Sequence, residues 1–274
     1  MPFFTDQLGR VIQLLHSPLK IVSLVPSQTE LLFDLGLDSE VIGITKFCIH
    51  PEHWFKNKAR VGGTKNINIK TVKEIHPDLI IANKEENNKS QIEELAINYP
   101  VWISDISTLE DALDMIVSIG EMVDRKLQAQ KMTDSIKAGF DELQRNISAD
   151  RYQDLTAGYL IWRNPYMAAG GNTFIHNMMK YCGFKNIFES HERYPTVSDF
   201  EKIKMEDRNA AMGCQLLLLS SEPYPFRQKH IDEIQSLLPG TKIILVDGEM
   251  FSWYGSRLLQ APRYFLQLRR EIQQ

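Results

Sequence analysis

The sequence predicts an α/β protein of two Rossmann-like lobes with central parallel sheets, bridged by one long α-helix, with a cleft between the lobes. Three observations carry this. Short apolar runs alternate with amphipathic helical stretches over residues 1–106, the same alternation returns over 148–274, and one unbroken helical pattern fills 107–147. Strands that are apolar throughout and spaced by helices belong to parallel sheets covered on both faces.

In the first lobe KIVSL (20–24), VIGI (41–44), DLIIA (78–82) and VWIS (101–104) read as strands. QTELLFDLG (28–36), IKTVKEI (69–75) and SQIEELA (90–96) read as the helices between them. Ahead of them FTDQLGRVIQL (4–14) reads as a hairpin turning at Gln7–Gly9. From Leu109 to Leu143 apolar residues recur three or four apart, through Ile116, Ile119, Leu127, Met132, Ile136 and Phe140. Ser107 with Glu110 forms a candidate capping box, and Gly120 and Gly139 only weaken the pattern. At ~1.5 Å per residue this predicts a rod of about 50 Å joining the lobes. In the second lobe LTAGYLIW (155–162), QLLLLS (215–220) and KIILVD (242–247) are expected strands. NTFIHNMMKYCG (172–183), RQKHIDEIQSLL (227–238) and SRLLQAPRYFLQLRREI (256–272) are expected helices.

Composition removes several function classes. Of 274 residues, 43% are hydrophobic and 24% charged, which is globular. A formal net charge of -4 without a Lys/Arg-rich run argues against nucleic acid as a partner. The scattered Cys48, Cys182 and Cys214 make neither a disulfide framework nor a Cys-x-x-Cys pair. The apolar run around Leu216–Leu219 falls far short of the ~20 residues that span a bilayer, so no membrane insertion is expected. Met1–Arg10 reads MPFFTDQLGR, with Asp6 and Gly9 breaking any apolar stretch. The chain as numbered is therefore expected to be cytoplasmic, or periplasmic or cell-envelope if a signal has been removed. There is no G-x-S-x-G, H-E-x-x-H or P-loop, so neither an enzyme nor a catalytic cofactor is expected.

Candidate binding residues gather in segments that follow strands. FCIHPEHW (47–54) offers Cys48 and His50, in the kind of strand-end loop that lines α/β clefts. They are candidate axial ligands for cobalt or iron, with Cys48 expected to be reachable by reagents, while His53 reads as surface. IWRNPYMAAGGNT (161–173) supplies Trp162, Arg163, Tyr166 and Met167 as stacking faces plus one cation. Arg163 calls for a carboxylate or amide partner. Gly170–Gly171 would let backbone approach a ligand closely, with Asn172 or Thr173 capping the next helix. GEMFSWYGSR (248–257) places Phe251, Trp253 and Tyr254 in a loop, and SSEPYPFR (220–227) adds Glu222. Ser27, in SLVPSQTE, is a candidate cap of a helix whose N-terminal amides favour anionic groups.

SLVPSQTELLFDLGL (23–37), VGGTKNINIKTVKEIHPDLIIA (61–82), AAGGNTFIHNMMKYCGFKNIF (168–188) and YPTVS (194–198) together resemble the helical-backbone substrate-binding proteins of ABC importers. That family takes up cobalamin, haem and ferric siderophores. The resemblance implies two α/β lobes joined by a helix, with cobalamin or a similar chelate held between them as ligand. It also implies importer membrane subunits as partners. Position by position, the family's first-lobe aromatic clamp falls at Thr64 and its second-lobe clamp at Tyr194; Lys65 is included in the expected site. The family's two docking glutamates fall at Lys70 and Phe200, with Glu74 one turn away and Glu201 adjacent. A Lys facing the importer's arginines would repel. The rival expectation is a cytoplasmic corrinoid- or metal-handling enzyme or chaperone that uses Cys48 and His50.

Overall fold

The computed structural model describes residues 2–149, 155–197 and 213–273. The chain divides into two compact units. One comprises Met1–Ile106, Glu110–Ile136 and Trp253–Leu259; the other comprises Ser107–Leu109, Lys137–Ser252 and Gln260–Gln274.

The first unit opens on an antiparallel hairpin, β1 (Phe3–Thr5) and β2 (Val11–Gln13). Its turn is organised by Asp6, whose carboxylate accepts from the amides of Leu8 (3.0 Å) and Arg10 (2.8 Å) and from the Arg10 guanidinium (2.8 Å). The chain then alternates through β3 (Ile21–Ser23), α1 (Pro26–Asp34), β4 (Val41–Ile44), α2 (Glu52–Asn57) and β5 (Ala59–Arg60). It continues through α3 (Ile69–Ile75), β6 (Leu79–Asn83), α4 (Lys89–Ala96) and β7 (Val101–Ser104). The five strands pair in parallel in the order β5-β4-β3-β6-β7. Every residue of β3, β6 and β7 is buried, which is why those runs read as apolar without alternation.

The single long helix expected over 107–147 is two helices, α5 (Leu109–Met122) and α6 (Lys126–Ala149). Asp124 between them is left-handed (φ 56), and the Arg125 amide returns to the Gly120 carbonyl (2.7 Å). Gly120 is what lets α6 start so close, since a Cβ there would lie 2.3 Å from that of Ala129. The division between units falls inside α6, after Ile136. Its buried stripe is Ala129, Thr133, Ile136, Phe140 and Leu143, whereas Leu127, part of the expected stripe, is 76% exposed.

The second unit holds β8 (Leu155–Trp162), β9 (Tyr166–Ala168), α7 (Phe174–Tyr181), β10 (Phe184–Asn186) and β11 (Thr196–Val197). After these come β12 (Leu216–Ser220), α8 (Gln228–Leu237), β13 (Lys242–Val246), α9 (Gly248–Ser252) and α10 (Ala261–Gln273). The sheet order is β11-β9-β8-β12-β13, with β10 also on β8; β8, β10, β12 and β13 run parallel and the β9 pairings antiparallel. The helix expected over 256–272 is interrupted. Ser256–Leu259 forms a 3-10 turn, and α10 starts at Ala261 with Pro262 in its first turn, where a missing amide costs no intrahelical bond.

Candidate functional site

In an open parallel sheet all loops after the strands emerge at one edge, and ligands bind where the strand order reverses. In the first unit that point lies between neighbours β3 and β6. A buried polar network sits there. Asn87 donates to the carbonyls of Leu24 (3.3 Å) and Thr64 (3.1 Å), and Ser104 Oγ accepts from Gln28 (2.6 Å) and Asn83 (2.9 Å). Ser27 does not cap α1: the helix starts at Pro26, its N-cap position is Val25, and no side chain caps it. Instead Ser27 Oγ and Gln28 Oε1 are buried without a hydrogen-bond partner among the described residues.

Cys48 is fully buried, with Sγ 3.1 Å from Thr29 Oγ1 and 3.2 Å from Thr45 Oγ1. Burial pushes its thiol up, and does the same to Cys182 and to Cys214, which is raised to about 11. Cys48 is therefore neither reachable nor placed to bind a ligand's metal. The rival enzyme or chaperone loses the thiol on which it depends. Among the described residues no group of three or more His, Cys, Asp or Glu is arranged to hold a metal ion. Alkylation followed by mass spectrometry is expected to label none of the three thiols appreciably until denaturant unfolds the protein, because the thiolate is the reactive form. Fast labelling of Cys48 in the native state would reverse this assignment.

Other expected residues of the first unit spread out. His50 is half-buried, its ring 5.7 Å edge-on from that of Trp253. Lys65 is exposed and donates to the Glu85 carbonyl. Trp253 and Tyr254, expected as exposed loop aromatics, are each 6% exposed. They pack within the first unit, Trp253 under the Arg257 guanidinium (5.0 Å) and Tyr254 donating to Glu86 Oε1 (2.7 Å). Lys70 is exposed on α3, 3.9 Å from Glu74; Phe200 and Glu201 lie outside the described residues.

The second unit concentrates its expected residues at the ends of β8 and β12. Trp162, the last residue of β8, is 41% exposed, and its ring stands 5.8 Å edge-on to that of Tyr224. Arg163 has its carboxylate, since Glu233 accepts two bonds from it (3.0 and 2.8 Å) and one from the Tyr166 hydroxyl (2.9 Å). Arg163 and Tyr166 together hold the Glu233 carboxyl below its usual range. Behind Tyr224 stands His230. Its Nδ1 accepts the Arg227 amide (2.9 Å), so a neutral ring carries its proton on Nε2, facing the Tyr224 hydroxyl (3.2 Å). Burial lowers the His230 pKa and favours that neutral form. Met167 and Tyr194 are half-buried, and Glu222 accepts from Ser252 (2.6 Å).

Two expectations are corrected here. Phe251 is fully buried on the short α9, its centroid 5.1 Å from Tyr159 and 4.7 Å from Phe265, so it plugs the core and does not stand exposed in a loop. Gly170 and Gly171 admit not a ligand but the segment 189–193. Their amides donate to Arg193 and His191 (2.7 and 2.8 Å), and a Cβ on either would lie 2.3 or 2.0 Å from a carbonyl oxygen of that segment. Thr173 does cap α7, accepting the His176 amide (3.2 Å). Sequence reasoning missed Tyr224, His230 and Glu233 as the setting of Trp162 and Arg163; the tight SSEPYPFR loop held a signal for Tyr224, but nothing marked Glu233.

These two sheets, with aromatic and polar side chains on strand-end loops, are those of a two-unit α/β binding protein. A family of periplasmic binding proteins matches residues 21–236, and the chain belongs to it. It is a family of substrate-binding transport proteins, not of enzymes. A vitamin B12-binding protein of Vibrio campbellii is 24% identical over 181 residues, 65% of each chain. An ABC transporter substrate-binding lipoprotein of Bacillus subtilis, uncharacterized by name, is 24% identical over 208 residues, 73% of this chain and 65% of that one. The chain thus spans just under two thirds of the length of each of these relatives. Among solved structures, the periplasmic vitamin B12 binding protein of Vibrio cholerae superposes with a TM-score of 0.77 at 19% identity, over 94% of this chain and 99% of that one. A periplasmic haem-binding protein of Roseiflexus sp. RS-1 superposes at 0.75 with 17% identity, over 91% and 98%. At such identities the structural likeness speaks for the fold.

Proposed function

We propose that this protein captures cobalamin or a related corrinoid or metal chelate, such as haem or a ferric siderophore, and delivers it to an ABC-type importer. The relatives named for vitamin B12 and for ABC transport support the reading. One observation carries it on this chain: Trp162 ends a buried strand with its ring exposed, braced by Tyr224 and His230. A large ring held rigid at a strand end offers stacking area at little entropic cost, which suits a broad, flat ligand.

The periplasmic and lipoprotein names of the relatives support a place in the cell envelope and give the cytoplasmic expectation none. No helix among the described residues is long and apolar enough to cross a membrane.

Absorbance titration with cyanocobalamin, haemin and ferrichrome in turn tests the reading. At least one is expected to bind, and Trp162→Ala is expected to weaken it by about 1–3 kcal/mol, the usual loss for a stacked aromatic. If all three fail to bind, the reading falls. If binding survives Trp162→Ala unchanged, the ligand is held elsewhere.

A further inference from the structure

Resting on the reading of Trp162 above, we infer that His230 is a proton-sensitive positioning residue for ligand capture. As a neutral ring it fixes Tyr224 against Trp162; a proton on its Nδ1 undoes that hold and weakens binding.

His230 is the third residue of α8 and is 2% exposed. From there its ring makes two polar contacts. Nδ1 accepts the amide of Arg227, the residue before the helix (2.9 Å), as the side chain at that position does in a capping box. Nε2 stands 3.2 Å from the Tyr224 hydroxyl, and the ring lies edge-on to those of Tyr224 and Phe226, each at 5.5 Å. The Tyr224 ring in turn stands edge-on to Trp162. The backbone of the loop is held separately, by the Tyr224 amide on the Ile161 carbonyl (3.3 Å) and the Phe226 amide on the Ser220 carbonyl (3.3 Å). What His230 fixes is therefore the Tyr224 side chain and not the loop.

Both contacts need one tautomer. With Nδ1 as acceptor, the neutral ring donates through Nε2–H to the tyrosine oxygen. A proton taken from water onto Nδ1 sets two donors, Nδ1–H and the Arg227 amide, against each other at hydrogen-bond distance. The ring has to turn to escape, and turning carries Nε2–H off Tyr224. The surroundings decide when this happens. Burial disfavours the charged ring first; Lys229 and Arg227 at the start of α8 and Arg163 after β8 add to it, and Glu233 further along α8 opposes them. Glu233 is already engaged, accepting two bonds from Arg163 and one from Tyr166 of β9. The folded value thus lies below the ordinary histidine value of about 6.5. The brace is fully present above the ordinary value and is lost as pH falls through the lowered one.

The test is a profile of affinity from about pH 7.5 to about pH 4.5, spanning the histidine range. It uses the full chain and whichever of cyanocobalamin, haemin or ferrichrome the wild type binds. Wild-type affinity is expected to fall about five- to tenfold across that range, a step of the size that coupled sites show. His230→Gln keeps an acceptor where a capping box takes glutamine, but does not titrate. It should bind like the wild type at neutral pH and lose the step. A pH effect belonging to the ligand or to another group would persist in that variant, so the difference between the two profiles isolates His230. Tyr224→Phe keeps the ring and removes the hydroxyl; it should bind severalfold more weakly at neutral pH and show a smaller step. It leaves the helix cap in place, so it decides the matter if His230→Gln fails to fold. A wild-type affinity that is flat with pH, or a step that His230→Gln or Tyr224→Phe retains in full, would overturn this inference and leave the functional reading intact. A wild type that binds none of the three probes would overturn both.

Discussion

Phe251→Ala is expected to destabilise the second unit by about 3–5 kcal/mol, the cost of emptying a large aromatic site in a core. The ring is completely buried, tilted against Tyr159 and Phe265 and edge-on to Tyr264 at 6.3 Å. Those partners come from β8 and α10, so the ring ties the short α9 to both. Packing of this kind leaves no small residue free to fill the void, and the cavity penalty adds to the lost transfer energy. Guanidinium unfolding followed by circular dichroism measures the loss. Ligand affinity of the folded variant should stay at the wild-type value. A loss of stability below about 1 kcal/mol together with a large loss of affinity would return Phe251 to the binding site.

The strands were the most legible part of the chain. VIGI, VWIS and LTAGYLIW are found with the bounds read from their apolar runs, because strands buried on both faces write their burial continuously into sequence. The break between α5 and α6 was not legible. Apolar spacing continues across it, and a single left-handed Asp124 leaves no mark on a periodicity. Gly120, read as a mild weakness, is the contact that the break requires.

Site residues were legible by type and much less by direction. Arg163 announced that it needed a carboxylate, but Glu233 lies 70 positions further on and no local pattern points to it. Cys48 looked reactive because it stands beside a histidine in a strand-end loop. Its actual neighbours are the hydroxyls of Thr29 and Thr45, one of them 19 positions away. The aromatics of GEMFSWYGSR share a segment but not a destination. Phe251 packs in the second unit, while Trp253 and Tyr254 pack in the first.

Arg257→Ala is expected to cost about 3–5 kcal/mol near neutral pH, as removal of one partner from a buried ion pair does. Arg257 and Glu30 are 11% and 15% exposed and joined by two bonds of 3.0 and 2.7 Å. Burial raises the Glu30 pKa by more than Arg257 lowers it, with Asp34 adding to the rise, so the folded value lies above the unfolded one. A raised folded value means that the native state holds the Glu30 proton more tightly. That contribution is fully present below the unfolded pKa and is lost as pH rises through the folded one. Without Arg257 the folded value climbs further, so the variant's deficit should be largest at neutral pH and shrink toward about pH 4, where the carboxyl takes up its proton. A smaller part should persist at both, because Arg257 also lies over the Trp253 ring. Glu30→Gln combined with Arg257→Ala should recover most of the neutral-pH loss by removing the stranded charge. Denaturant unfolding of the wild type and the two variants at pH 7 and pH 4 measures each step. Equal deficits at both pH values, or no rescue by Glu30→Gln, would mean that Arg257 holds the Trp253–Leu259 segment by packing and not by charge.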